Sequence, residues 1–481
     1  MTEPDAGPTT SGYRVPLARP RATRMTARPR PANQSWGWQL FGVLSVVVAL
    51  TMMGLDEWIG GKHTGAGLIV APILLALTMG ALNRRAKREE AFDLRGLLLT
   101  SIGLRLILSV VRFQHPSDAV VYNTEGARLA IDFRSLDFIH VTVGGPVPGT
   151  GSLRYITGVA HLFTDSNFYG TTMIFTFMAF WASWFAYRAF ETAVPSGNRV
   201  RYARFVFLWP SMLYWPSSIG KDAWMAITIS LAAFGTAKLL RRLHGGYLLV
   251  GIGLFGAAVV RPHVAFLVFA AIAVAFLVGR RDMRRVPGTF SLAGVTKAIG
   301  IVLLLVAGAV LAPQAAHFLK VDSLNPSGVS TAFASTQDKT SQGGSAFHPP
   351  NPNSPIGYPM AVFTVFFRPL PGELRSASGL AASLEAFALL LITIVGWRRL
   401  VGAFKVLRSE PYVTFAIAYL LMFGYAFSAI GNFGILTRER VQALPFLFVP
   451  LSMDKWYPAA REPKPVRADG PRMIVPGRRR S

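Results

Sequence analysis

Apolar residues occur along this chain in long runs separated by short polar segments. The runs are about 15 to 22 residues long, the length of helix that crosses a hydrocarbon core of roughly 30 Å at about 1.5 Å per residue. None shows the alternation of a membrane β-strand, so helices are the expected spanning element. The pattern predicts an all-α fold, a polytopic transmembrane helical bundle of about 12 spans. These fall near 36–54, 68–82, 96–111, 167–187, 205–219, 223–240, 247–260, 264–278, 298–312, 378–396, 411–430 and 441–452. An even number of crossings puts both ends of the chain on one side.

One run, GTGSLRYITGVAHLF (149–163), is ambiguous. Counted as a span, it would move every later basic cluster to the opposite side. It is therefore assigned, over 151–163, to a surface-lying or re-entrant helix with Arg154 and His161 at its polar edge.

The polar segments set the organisation. Residues 1–34 are rich in Pro, Arg and Thr with too few apolar residues to bury a core, which predicts a disordered basic cytoplasmic arm. WGWQLFGVLSVVVALTMMG follows; it is long enough to span and lacks a small-x-small cleavage site, so it does not read as a removable signal. The transmembrane domain is expected over 35–453, and the basic, proline-containing 454–481 as a second disordered cytoplasmic tail. Two longer extracytoplasmic loops are expected, 112–166 and 313–377, containing interfacial helices. AVVYNTEGARLAIDF in the first is such a helix, whereas STQDKTSQGGSAFHPPNPNSPIGYP in the second reads as irregular loop.

Composition agrees: 52% hydrophobic, 15% charged and a mean hydropathy of +0.39 are too apolar for an ordinary soluble protein. The absence of cysteine excludes disulfides, thiolate metal sites and a Cys nucleophile. A net charge of +25 invites a nucleic-acid partner, but position argues against one. The clusters NRRAKREE (83–90), GRRDMRR (279–285), WRRL (397–400) and the terminal GRRRS all fall on the side of the termini, and the other side is nearly neutral. This positive-inside bias predicts a multi-pass cell-membrane protein with both termini cytoplasmic, its arginines facing membrane lipid headgroups and no nucleic acid.

The charges left on the other side concentrate at predicted helix ends beside aromatics and prolines. In FLWPSMLYWPSSIGKDAWMAITISLAAFG (207–235), Lys221 and Asp222 top a two-helix hairpin just after Pro210 and Pro216. Asp118 and Glu125 follow the third span, Arg261 and His263 share the turn VVRPHVAF, Arg368 and Glu373 lie in FFRPLPGE, and Arg438, Glu439 and Arg440 in NFGILTRERVQALPF. Taken singly, each has a structural explanation. A Lys or Arg snorkels to headgroups, Asp222 favours a helix N-terminus, and Arg438, Glu439 and Arg440 pair with one another. Together, five segments carrying charge at the membrane boundary point to a site. Two charges lie deeper, Arg105 and Glu385, and a mutual salt bridge or a link to the outer cavity is expected of them. The eight histidines are scattered without HxH or HxxxH spacing, so neither a metal nor a cofactor is expected.

Carboxylates, guanidiniums and aromatics in an outward cavity suit an anionic substrate with an apolar tail and a polar acceptor, which a polyprenyl-phosphate-linked sugar donor and a glycan acceptor would be. One carboxylate would take the acceptor proton, and cations would stabilise the leaving phosphate. The stretch SDAVVYNTEGARLA (117–130) is similar to the first outer loop of lipid-phosphate-dependent glycosyltransferases of the GT-C superfamily. WPSSIGKD, FFRPLPGE with ASLE after it, and NFGILTRER with LPF after it resemble bacterial polytopic proteins of surface-polysaccharide assembly, polymerase-like ones included. The resemblance spans 96–452; two extra spans precede the acidic loop, and its acid is single.

The resemblance implies Asp118 as base. Asp222, orienting the phosphate or the acceptor, and Glu125 are expected as further catalytic carboxylates, Lys221 as counter-charge, Arg438 and Arg440 as the main phosphate grip, and Arg261, His263 and Arg368 in support. The competing classes are a transporter or flippase of lipid-linked glycan, which should carry its charges at the midplane, and a non-catalytic scaffold, which should tolerate their loss. Reporters fused at either end of the chain are expected to be reached only from the cytoplasm; labelling of either in intact cells overturns the topology.

Overall fold

The computed structural model describes residues 35–60, 63–89, 91–115, 118–279, 292–323, 325–374 and 376–453. The predicted arm, the predicted tail and most of GRRDMRR lie outside the described residues. Helix is the regular structure throughout these residues. In chain order come α1 (Ser35–Gly60), α2 (Gly67–Lys87), α3 (Leu94–Gln114), α4 (Asp118–Arg134), α5 (Thr150–His161), α6 (Phe168–Ala193), α7 (Arg199–Leu208), α8 (Pro210–Tyr214), α9 (Lys221–Leu240) and α10 (Gly246–Val260). After them come α11 (Pro262–Val278), α12 (Leu292–Leu319), α13 (Pro326–Thr340), α14 (Gly357–Phe367), α15 (Ala377–Val395), α16 (Trp397–Lys405), α17 (Pro411–Phe427), α18 (Phe433–Glu439), the 3₁₀ turn η1 (Arg440–Gln442) and α19 (Leu444–Leu451).

Among the described residues, five helices are long and apolar enough to cross a membrane: α1 from Gly37, α2, α3, α9 and α15. Leu40, Ile69, Leu77 and Phe255 stand two-thirds or more exposed on α1, α2 and α10. Apolar faces this long are unfavourable in water and match a lipid surface. The chain is a helical membrane protein.

Proline rewrites part of the expected span pattern. Residues 205–219 do not form one continuous helix: Pro210 has no N–H to continue α7, so the chain re-starts as the five-residue α8 and then turns. Residues 441–452 likewise form η1 and the eight-residue α19 rather than one long helix. The helix expected over 151–163 is present as α5, but it does not lie loosely on a surface. Cβ atoms at Gly126 or Gly158 would run into Thr157, Phe133 and Leu129, so only glycine lets α4 and α5 pack this closely. His161 is fully buried between Asn123 O (3.2 Å) and Thr171 Oγ1 (2.8 Å) rather than at a polar edge.

The mutual salt bridge offered for the two deeper charges is absent. Arg105 does not meet Glu385; it donates to Met212 O and Ser183 Oγ, both at 2.8 Å, while Glu385 accepts from Ser211 N at 3.3 Å. Both charges are spent on the same broken segment, α8, whose irregular backbone offers polar partners that a regular helix keeps for itself.

α9 is the strut of the fold. It packs on α6 and α10. Its first residues are Lys221 and Asp222. Just past its other end, Arg241 donates to Ala193 O and reaches Glu410 Oε2 at 3.4 Å. Its 20 residues span roughly 30 Å, so the two charged ends are one hydrocarbon thickness apart.

At the Arg241 end lie two buried carboxylates. Glu89 meets Arg199 (3.3 Å) and the Tyr187 hydroxyl (3.3 Å); Glu191 meets Arg85, Arg188 (3.0 Å) and Arg199 (3.5 Å). The α9–α10 hairpin depends on glycine. A Cβ at Gly253 would collide with the backbone of Thr228 and Ala232, whereas Gly251 faces open space. Gly253→Val is therefore expected to cost about 1–3 kcal/mol or more and lower the melting temperature of the purified protein, with Gly251→Val near wild type; equal melting temperatures would contradict this packing.

Candidate functional site at the Lys221 end of α9

Four chain-distant segments supply this site. Asp118 opens α4, and Lys221 and Asp222 open α9. Both acids thus occupy first helical turns, where the helix dipole favours negative charge. Arg261 forms the corner between α10 and α11, its extended backbone followed by Pro262 at the first helical position. Arg438 and Glu439 end α18, a short helix capped by the Asn432 side chain on Ile435 N at 3.1 Å.

Arg438 is the hub. Its Nε donates to Asp222 Oδ2 at 2.7 Å and its Nη1 to Asp118 Oδ2 at 3.2 Å. The two acids differ in setting: the Asp222 side chain is 5% exposed and that of Asp118 57%. Beside them Arg261 and Glu439 form a bidentate pair, and Gln442 Nε2 donates to Glu439 Oε2 at 2.6 Å. Lys221 Nζ donates to Thr150 Oγ1 at 3.1 Å, at the start of α5. That contact is set by the loop before α5, where Gly149 N donates to Val259 O at 3.2 Å. Three cations thus face three carboxylates, and the cluster is balanced.

The electrostatics follow from burial and pairing. Burial alone would raise the Glu439 carboxyl, but the charge and hydrogen bonds of Arg261, with Arg438 behind, hold it below its ordinary value. The buried Asp222 carboxylate, with Asp118 and Glu439 adding to it, outweighs burial and holds the Arg438 guanidinium above its own. Burial, with Asp118 beside it, raises the phenol of Tyr122, one turn along α4.

The remaining candidates make their hydrogen bonds and ring contacts outside the cluster, although His263 lies close to Arg261 and Glu439. Glu125 is two turns beyond Asp118 and pairs with Arg128 at 3.5 Å. His263 is sandwiched by Phe318 (5.0 Å) and Phe427 (6.2 Å) with its Nδ1 buried and unpartnered. Arg368 pairs with Glu373 inside its own loop and covers the rings of Phe433 (4.9 Å) and Phe347 (5.2 Å), which stack on each other at 4.0 Å. Arg440 is 1% exposed and donates to Phe366 O (2.6 Å) and Arg368 O (3.3 Å), satisfying carbonyls at the end of α14 instead of facing the cluster.

The sequence assigns no individual site role to Glu439, Gln442, Thr150 or Tyr122. Glu439 and Tyr122 stood in motifs already quoted, but nothing in the sequence distinguishes Thr150 or Gln442 from other polar residues. Among the described residues no three His, Asp or Glu side chains gather as a metal site.

Arranged this way, the cluster offers one exposed carboxylate on the longer contact, one buried carboxylate on the shorter, and a lysine beside them. Such a set can bind an anion and accept a proton. Comparison with known proteins finds no matching family model, curated protein or solved structure.

Removing one partner of a buried pair leaves the other charge unpaired. Arg261→Ala is expected to cost about 3–5 kcal/mol, whereas Arg261→Met with Glu439→Leu together should recover much of it. Thermal melting in detergent checks both, and a double variant no better than the single contradicts the pairing. The sign with pH follows from the depressed Glu439. Its stabilisation is present above the unfolded value of 4.5 and is lost as pH falls through the lower folded value. Wild-type stability should therefore drop below about pH 4.5 more steeply than that of the double variant.

Proposed function

We propose that this protein is an integral membrane glycosyltransferase. In this reading it moves sugar from a polyprenyl-phosphate-linked donor to a glycan or lipid-linked acceptor in cell-envelope polysaccharide assembly. The Lys221 end of α9 faces the extracytoplasmic side, the basic clusters and both termini the cytoplasm, and the twelve-segment pattern is the expected crossing set. The observation that carries the reading is Arg438 held at once by a buried and an exposed carboxylate.

In the resting arrangement Arg438 is neutralised. A donor phosphate supplies the stronger partner for Nη1 and displaces Asp118, while Asp222 keeps the guanidinium in place. Freed from Arg438, Asp118 takes the proton of the acceptor hydroxyl as that oxygen bonds to the anomeric carbon. The bond from that carbon to the phosphate oxygen breaks, and the phosphate leaves with the electron pair. Lys221 and Arg438 stabilise the developing charge.

An apolar groove of about 570 Å³ supports the lipid half of the substrate. It is lined by Val147 and Pro148 before α5, by Leu254, Phe255 and Val259 of α10 and by Val310 of α12. Val147 and Pro148 directly precede the Gly149–Thr150 link to Lys221, so an isoprenoid chain in the groove ends beside the lysine.

Asp118→Asn is expected to lower transfer by about 10²–10⁴-fold. Its side chain is 57% exposed, so the melting temperature should hold. Lys221→Ala should lose about 10²-fold. Membranes carrying each variant, given a labelled polyprenyl-phosphate hexose, report the release of lipid phosphate. Undiminished release in both variants overturns the assignment.

A further inference from the structure

At the other end of the molecule a second groove, of about 680 Å³, opens between α7, the end of α15 and the start of α16. Its lining divides in two. Phe205, Leu391, Ile392 and Val395 form an apolar floor, and Arg204 and Arg399 form a cationic rim, with Arg201 behind them donating to Leu451 O and Met453 O. Arg399 has a buried Nε without a partner.

The location fits a lipid boundary. α15 is long and apolar enough to cross a membrane, and Leu391 to Val395 are its last turn. Val395 stands 77% exposed. Trp397 begins α16 directly after it, half-exposed beneath the Arg398 guanidinium at 5.7 Å, as expected of a side chain at headgroup level. The neighbouring arginines, Arg85, Arg188 and Arg199, are already taken up by Glu89 and Glu191. At the groove Arg204 and Arg399 stand over an apolar floor.

We propose that this groove is a binding site for an anionic phospholipid, its phosphate on Arg204 and Arg399 with Arg201 behind, and its acyl chains along Leu391, Ile392 and Val395. Arginine forks match phosphate geometry, and a basic pocket between helices at a membrane surface binds anionic headgroups. A zwitterionic lipid fills the floor equally well but brings its own cation to the rim. The occupant is therefore distinguished by net charge, and the site stands independently of the transferase reading.

The test uses the full-length protein purified from nanodiscs of phosphatidylcholine containing a minority of phosphatidylglycerol, with native mass spectrometry counting retained lipids. Wild type is expected to retain phosphatidylglycerol about tenfold above its share in the disc, at roughly the free energy of one or two arginines near a lipid surface. Arg204→Gln with Arg399→Gln should bring retention down to that share. Leu391→Trp, which fills the floor and leaves the charges, should do the same. Arg408→Gln, an exposed arginine outside the groove, should change nothing. Retention equal to the disc composition in wild type, or the same loss in Arg408→Gln, would mean diffuse charge rather than a site and overturns the proposal; so does unchanged retention in Leu391→Trp.

Discussion

The interaction on which the charged end of this molecule depends is the shared grip of two carboxylates on Arg438. A guanidinium at the rim of an apolar bundle is costly unless its charge is met, and a buried carboxylate such as Asp222 costs still more alone. Bringing them together solves both problems and ties α18 to α9. Asp118 then reaches the same guanidinium from α4 at the longer distance and in the wetter position. That asymmetry separates a close, buried partner from a longer, exposed one. Arg261 and Glu439 repeat the fixed half of the arrangement beside it, with Gln442 holding the carboxylate in orientation.

The rest of the architecture serves to hold these termini at one level. α9 carries Lys221 and Asp222 on a helix packed against two neighbours, and glycines on its contact with α10 let the backbones approach. The corner at Arg261 follows directly from that hairpin, because the end of α10 is fixed by the same packing. α5 enters through backbone: Gly149 bonded to Val259 brings Thr150 to Lys221. A displacement of α10 would therefore move a guanidinium and a lysine partner together.

At the Arg241 end the chain handles charge differently. Glu89 and Glu191 sit buried among arginines and a tyrosine, a satisfied network that locks α2, α6 and α7. In the groove next to it, Arg204 and Arg399 stand over apolar side chains. Two ends of one helix bundle, roughly 30 Å apart along α9, thus present balanced charge with an exposed carboxylate at one and arginines over an apolar floor at the other.

The sequence by itself determined the helical, membrane-embedded character of this protein, because hydropathy and run length are local properties. It also placed Asp118, Lys221, Asp222, Arg261 and Arg438 at helix ends, since prolines and polar turns mark those ends wherever the helices pack. It could not decide pairing. Arg438 lies 320 residues from Asp118 and 216 from Asp222, and no local pattern distinguishes it from Arg440, two positions on, which turns instead to the carbonyls ending α14. Nor could it foresee that 205–219 breaks at Pro210 and that Arg105 and Glu385 spend their charges on the broken segment rather than on each other. Apolar patterning is summed along the chain and survives any packing. The partner of a charge is set by which backbones meet in space, and only the tertiary structure decides that.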